Sequence, residues 1–277
     1  EIVLKAKPVE GGKNPSFAPP PIDVVVRTIQ SERPGVVFAP HVETASGIIL
    51  PDDYIKAVSD AAHSVGALFV LDCIASGCIW VDMEKTGVDV ILSAPQKGWS
   101  GPACGGLIML SQRATEAMET SQSNSFCVDL KQWRNVMKAY EDGGHKYYTT
   151  MPTDALTRVY AAMQEAESVG MAKVKAAQLE LGTAVRGLLE SMGIKSVAAK
   201  GFQAPGTVMS CVLAAFVGAD LKENCVLLGV VVSYAPRDDI YQRFLTEGLQ
   251  VAGGVPLMCG GITDSQVCHR LALQMNK

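Results

Sequence analysis

Two residues stand where chemistry is commonly staged. Asp72 ends the apolar run ALFVLD (67–72), and Lys97 follows the β-branched run VDVIL inside SAPQKGW (93–99). A protonated lysine amine is a poor nucleophile, but partial desolvation or a neighbouring cation lowers its pKa and frees the lone pair. The neutral amine condenses with an aldehyde to a Schiff base. If that aldehyde sits on a pyridine ring, a carboxylate beside the ring nitrogen keeps it protonated, and the ring draws electrons from a substrate carbanion. On this reading Lys97 takes the aldehyde carbon and Asp72 the ring nitrogen. The structural alternative is an Asp closing a strand and a solvated lysine in a surface loop. Spacing alone leaves both open.

The surrounding elements decide where such groups would point. GVVFAP (35–40) reads as a strand stopped by Pro40. PDDYIKAVSDAAHSVG (51–66) reads as a helix with Pro51 in its first turn, Asp52 and Asp53 at its positive end, and Gly66 as its stop. ALFVLD is a continuous apolar run, the pattern of a strand buried on both faces. VDMEKTG crosses to the next strand, VDVILS (88–93), and GGLIMLS (105–111) is another candidate. Strands alternating with helical crossovers predict an α/β fold with a mainly parallel sheet. Ligands of such sheets gather beyond the carboxyl ends of the strands, where Asp72 and the 93–97 segment fall.

Elsewhere, GGKNPSFAPPP (11–21) is punctuated as a loop, and IDVVVRTIQ is too short to choose between helix and strand. Residues 153–193 exceed an ordinary helix and contain Gly170 and Gly182, which predicts at least two helices or a bent one. From residue 194, short apolar runs such as VMSCVLAAFVG and VLLGVVVSY predict a smaller α+β domain.

Composition narrows the function classes. With 277 residues, 48% apolar and 19% charged, the chain has the balance of a globular protein with a sizeable core. A formal net charge of -4 without a basic run argues against nucleic acid as a partner. The eight cysteines form no CxxC pair and the four histidines lack zinc-site spacing, so a reducing compartment and no structural metal are expected. The apolar stretch TVMSCVLAAFVGA (207–219) is too short for a membrane span and no signal peptide is recognisable, so a cytoplasmic location without membrane attachment is the expectation.

Several motifs share a common source. FAPHVETASGIILP (38–51), ALFVLDCIASG (67–77), VDVILSAPQKGWSGP (88–102), GGHKYYTTMPTDAL (143–156), KGFQAPG (200–206) and GLQVAGGVPLMC (248–259) follow one another as they do in class V aminotransferases. The chain resembles the serine–pyruvate and alanine–glyoxylate group of that family, over most of residues 20–206 and in part afterwards. The resemblance implies the type I aminotransferase fold and pyridoxal 5'-phosphate as cofactor. It implies a large cofactor domain over 1–160, a connecting helical region over 161–193 and a smaller domain over 194–277. The family's small-residue phosphate loop and stacking aromatic would lie in a portion preceding this chain. Residues 207–228 separate motifs that are nearly adjacent in the family.

Carried over by position, the resemblance makes Lys97 the Schiff-base lysine and the shuttle for the substrate α-proton. Asp72 would hold the ring nitrogen, Ile74 would press on a ring face, Thr44 would lie near the ring hydroxyl, and Gln96 would contact the phosphate. Tyr147 and Thr150 would reach the phosphate of a neighbouring subunit in a homodimer, and Arg270 in CHRLALQ would grip the substrate carboxylate. The implied reaction transfers an amino group between an alanine- or serine-like amino acid and a glyoxylate- or pyruvate-like 2-oxo acid. Each residue also has a plainer reading: Ile74 as core, Thr44 as a turn brace, Tyr147 as packing, His41 and His63 as satisfied structural histidines. Two other functions remain open. A cysteine desulfurase or related lyase shares the fold, but characteristically has His where Gln96 precedes the lysine; Cys104 and Cys127 are the thiols it would use. The other is an enzyme-derived binding protein without catalysis.

Overall fold

A computed structural model describes residues 1–12, 14–213 and 225–231. Short antiparallel strands β1 (Lys7–Pro8) and β2 (Phe17–Ala18) precede helix α1 (Ile22–Glu32). IDVVVRTIQ is thus helical. Its β-branched content favours a strand, but Val25 and Ile29, four apart, bury on one helical face, and that packing outweighs propensity. Arg33 adopts a left-handed conformation and donates its N–H to Ile29 O, which ends the helix.

Then come β3 (Val36–Pro40), the small hairpin β4 (Val42–Glu43) and β5 (Ile48–Ile49), helix α2 (Asp52–Ser64), β6 (Leu68–Asp72), the single turn α3 (Met83–Thr86), β7 (Val90–Ser93) and β8 (Leu107–Leu110). Pro51 is the N-cap of α2 rather than its first residue. The central sheet runs β3–β6–β7–β8, with β3, β6 and β7 parallel and β8 antiparallel. An α/β fold with a mainly parallel sheet is what the sequence pattern predicts.

The expectation of a β6 buried on both faces needs correction. Phe69 and Leu71 are fully buried while their neighbours Leu68 and Val70 are only partly so. Helices α1 and α2 cover one face, where Val25, Ile29, Ile55, Val58 and Ala62 pack with Phe69, Leu71 and Ile91 into the main core. Truncating Phe69 to Ala there would cost about 3–5 kcal/mol. At the amino end of the sheet, buried Asp89 accepts from Phe69 N, Ser111 Oγ and His63, at 2.9, 3.0 and 2.8 Å. That end is pinned by polar bonds, which leaves the carboxyl ends to the loops.

Helices α4 (Gln112–Thr120), α5 (Leu130–Glu141), α6 (Thr153–Val169) and α7 (Met171–Ser191) follow. The long helical stretch divides at Gly170, whose φ of 98° is cheap only for glycine. Gly182 lies inside α7 because Pro205 crosses there: a Cβ would fall 2.3 Å from the Pro205 carbonyl oxygen. Buried Arg186 fastens the same crossing, donating from Nη1 to Ser196 Oγ and from Nη2 to Ala204 O.

Strands β9 (Lys195–Ser196), β10 (Thr207–Leu213) and β11 (Cys225–Val231) form an antiparallel sheet in the order β11–β10–β9. The segment separating the two family motifs therefore supplies β10 and the start of β11, paired in register from Thr207↔Val231 to Leu213↔Cys225. Arg270 and the motif at 248–259 lie outside the described residues.

Candidate active site

β6 and β7 are neighbours, with Asp72 opposite Leu92, so both strands deliver their following loops to the same edge of the sheet. Parallel neighbours lie about 4.8 Å apart, so the two loops emerge side by side. Cys73 N donates to Leu92 O at 2.8 Å and carries the ladder one residue beyond Asp72. Asp72 Oδ1 then accepts from Ile74 N at 2.9 Å, a side-chain-to-backbone turn that bends the chain sharply after the strand. Its other carboxylate oxygen makes no hydrogen bond among the described residues. Ile74 is half-buried beside it.

The β7 loop is a tight turn. Gly101 N donates to Pro95 O and Ser100 N to Lys97 O, at 2.9 and 3.0 Å, and the turn presents Gln96 and Lys97 to solvent. Gly98, next to Lys97, abuts Gly77 of the β6 loop so closely that a Cβ on Gly98 would lie 2.0 Å from Gly77 O. Cys78 Sγ donates to Gly98 O at 3.5 Å. Trp80 and Trp99 face each other with centroids 4.8 Å apart, and Trp80 Nε1 donates to Met171 O at 3.1 Å. The loops after β6 and β7 are therefore one packed unit, anchored on α7.

Thr44 sits exposed in the β4–β5 turn, which leaves β3 at this same end of the sheet. The hairpin is braced from the side by the chain around Gln203: Ile49 N donates to Phe202 O and Ala204 N to Gly47 O, at 2.9 and 2.8 Å. Its base is held by His41, whose N–H donates to Asp72 O and whose carbonyl accepts from Leu50 N. His41 is buried and its Nδ1 lies 2.7 Å from Ser76 Oγ. Burial, aided by the Lys175 charge, pushes its pKa down to about 4, so the ring is neutral near pH 7.

The fold thus brings Asp72, Ile74, Gln96, Lys97 and Thr44 to one end of the sheet. Tyr147 and Thr150 lie elsewhere, on the exposed segment before α6, where Tyr147 OH and Thr150 Oγ1 are 2.9 Å apart. Among the described residues no hydrogen bond joins this pair to the strand-end group. Burial raises the Cys73 and Cys78 thiols to about 12 and 11, far from thiolate formation at pH 7. Cys104 is half-buried and Cys127 exposed. No cluster of three or more His, Cys, Asp or Glu suited to a metal occurs among the described residues, and no helix there is long and apolar enough to cross a membrane.

The Gly77–Gly98 contact and the His41–Ser76 pair escape sequence reasoning. The only local signals are a glycine in each loop and a histidine directly after a strand-ending proline. The donor set suits a pyridine aldehyde: an acceptor carboxylate with an open oxygen, a lysine amine, an apolar side chain between backbone turns, and a hydroxyl and an amide at the rim.

Residues 22–233 match the family described as aminotransferase class-V. The chain is 26% identical over 160 residues to alanine–glyoxylate aminotransferase 1 of Saccharomyces cerevisiae, covering 55% of this chain and 41% of that protein. It is 27% identical over 240 residues to L-aspartate–glyoxylate aminotransferase of Paracoccus denitrificans, covering 86% of this chain and 57% of that one. The chain spans about half the length of these curated relatives. In fold it is similar to the crystal structure of ureidoglycine–glyoxylate aminotransferase from Bacillus subtilis, with a TM-score of 0.66 at 16% identity over 92% of this chain and 68% of that one.

Proposed function

The chain belongs to the class V aminotransferase family, and on that premise we propose that it carries the ring and aldehyde side of a pyridoxal 5'-phosphate site serving transamination. The donor is a small amino acid of alanine or serine type, and the acceptor a 2-oxo acid of glyoxylate or pyruvate type. The bound cofactor supplies the electron sink that makes a substrate α-proton removable.

The residues divide the remaining work. Lys97 Nζ would hold the cofactor through its aldehyde group and, once a substrate amine takes that place, would be the base positioned to move the substrate α-proton. Asp72 would hold the protonated ring nitrogen with the carboxylate oxygen that Ile74 N leaves open. Ile74 would lie against a ring face, Thr44 would lie near the ring hydroxyl, and Gln96 would contact the phosphate. Arg270 is proposed as the fork for the substrate carboxylate. The division into 1–160, 161–193 and 194–277 is proposed on the same footing, and a cytoplasmic location is proposed because the cysteine usage suits a reducing compartment.

A homodimer completes the site, with Tyr147 and Thr150 of each subunit serving its partner's phosphate. Their pairing on an exposed segment supports this. So does the company they keep: Phe126, Val128, Met137, Tyr140 and Tyr160 are all strongly exposed, and α5 buries no residue. Apolar surface of that extent marks an interface, and a second copy is the simplest cover.

One observation carries the reading: the Gly77–Gly98 contact that joins the Asp72 loop to the Lys97 turn. The test adds pyridoxal 5'-phosphate to the purified chain, reduces with borohydride and maps peptides by mass. A cofactor mass fixed on Lys97 supports the site and justifies a screen of amino and 2-oxo acids. A folded chain that traps nothing there sinks it.

A further inference from the structure

We propose that His41 is a positioning residue for Lys97, acting through the Ser76 hydroxyl and the Gly77–Gly98 contact. The proposal rests on the reading of Lys97 given above and adds a residue that touches neither cofactor nor substrate.

His41 is 1% exposed and Ser76 3% exposed, and their side chains meet at 2.7 Å. The pair spans two elements. His41 is held by its backbone between Asp72 O and Leu50 N, at the carboxyl end of β3. Ser76 is the pivot of the β6 loop: its N–H donates to Cys73 O and its carbonyl accepts from Ile79 N, both at 3.2 Å. A neutral imidazole has one donor and one acceptor nitrogen, and a hydroxyl complements either tautomer, so the bond persists whichever ring nitrogen carries the proton. Depression of the His41 pKa to about 4 keeps the ring neutral through the ordinary working range.

The bond fixes more than a turn. Gly77 follows Ser76 directly, in a left-handed conformation with φ 62°, and its carbonyl faces Gly98 with no room for even a methyl group. A shift of Ser76 therefore has no slack to absorb it before it reaches Gly98, one residue from Lys97. Ile74 and Asp72 lie on the near side of the same loop, so one side-chain bond holds the ring-facing residues and the lysine turn in a common frame.

The test compares wild type with H41A, S76A, the H41A/S76A double variant and H41N. Asparagine places an amide atom close to the position of Nδ1. The first readout is the dissociation constant for pyridoxal 5'-phosphate by absorbance titration; the second is hydrogen exchange of the cofactor-free chain. H41A and S76A are each expected to weaken cofactor binding about tenfold, the change expected when one buried hydrogen-bond partner is lost. The double variant should be no worse than either single one, and H41N should recover most of the loss. In the cofactor-free chain, H41A should speed exchange across both 74–78 and 97–101, with α2 unchanged. A merely structural histidine would lower the melting temperature while leaving the dissociation constant and the 97–101 amides as in wild type. That result, or strictly additive single variants, overturns the proposal while leaving the Lys97 reading intact. Should H41A not fold, S76A and H41N decide it. If wild type traps no cofactor on Lys97, the underlying reading falls and this proposal falls with it.

Discussion

Gly98 lies against Gly77 so tightly that a Cβ on the first would sit 2.0 Å from the carbonyl oxygen of the second. Two loops from adjacent strands are thereby locked backbone to backbone. Gly98→Ala must push them apart, and overpacking of this kind costs about 1–3 kcal/mol. The expected outcome is a lower urea midpoint together with weaker pyridoxal 5'-phosphate binding. Unchanged binding in G98A would show that the contact does not set the lysine.

Lys97 is exposed and makes no side-chain hydrogen bond among the described residues. Lys97→Ala should therefore change stability by no more than about 0.5 kcal/mol. The same variant should lose all borohydride-dependent labelling by cofactor at that peptide. Mass mapping and a denaturant curve on one preparation separate the two effects, and labelling that survives in K97A would move the chemistry to another lysine.

Asp72→Asn keeps an oxygen for Ile74 N but removes the negative charge meant for the ring nitrogen. Melting temperature should hardly move, while amino transfer should fall on the order of a hundredfold or more, the scale of losing one preorganised electrostatic partner. Single-turnover rates with an amino acid donor would measure this. A drop confined to stability would assign Asp72 to the turn alone.

His41 gives stability a pH dependence of known sign. Its pKa falls from an ordinary 6.5 to about 4 on folding, through burial and the Lys175 charge. Between those values the unfolded chain binds a proton that the folded chain refuses, so stability drops as pH falls from 6.5 towards 4. The contribution is flat above 6.5 and spans at most about 3 kcal/mol. Melting curves across that range should be steeper in wild type than in H41N. Parallel curves would mean that the ring stays solvated.

The exposed Tyr147–Thr150 pair predicts complementation between subunits. K97A and Y147F/T150A chains should each be impaired alone. Mixed and allowed to re-equilibrate, they should regain part of the wild-type activity, because a hybrid dimer has one site with both Lys97 and an intact partner pair. Absence of recovery in a mixture shown to exchange subunits would place the pair within its own subunit's site, or outside any site.

Much of the strand-end geometry is readable from local pattern. VDVIL reads as a strand from its β-branched content and from the crossovers that flank it, and the polar residues at its end mark where the sheet opens. Division of the long helical stretch at Gly170 is legible for a similar reason, since one residue carries the φ that breaks it. Misreadings arise where the deciding partner is distant. Propensity cannot settle IDVVVRTIQ, because its helix exists to bury Val25 and Ile29 against a sheet formed later in the chain. ALFVLD reads as doubly buried because its composition does not reveal that α1 and α2 cover only one face. The same limit hides His41 and Ser76, each ordinary in its own segment and significant only through the 2.7 Å between them.

The brace on the Thr44 hairpin has a consequence for the order of assembly during synthesis. Asp72 and Lys97 leave the ribosome well before Phe202 and Ala204, whose backbones complete the hairpin edge. A nascent chain can thus close the two glycine-locked loops while the wall carrying Thr44 is still unsupported. Ribosome-bound chains stalled before residue 200 should protect the 74–101 region from protease and leave 42–49 open to it; equal protection of both would refute this sequence of events. On this timetable, cofactor capture is a late event, withheld until the chain has returned from α7 to the β4–β5 hairpin.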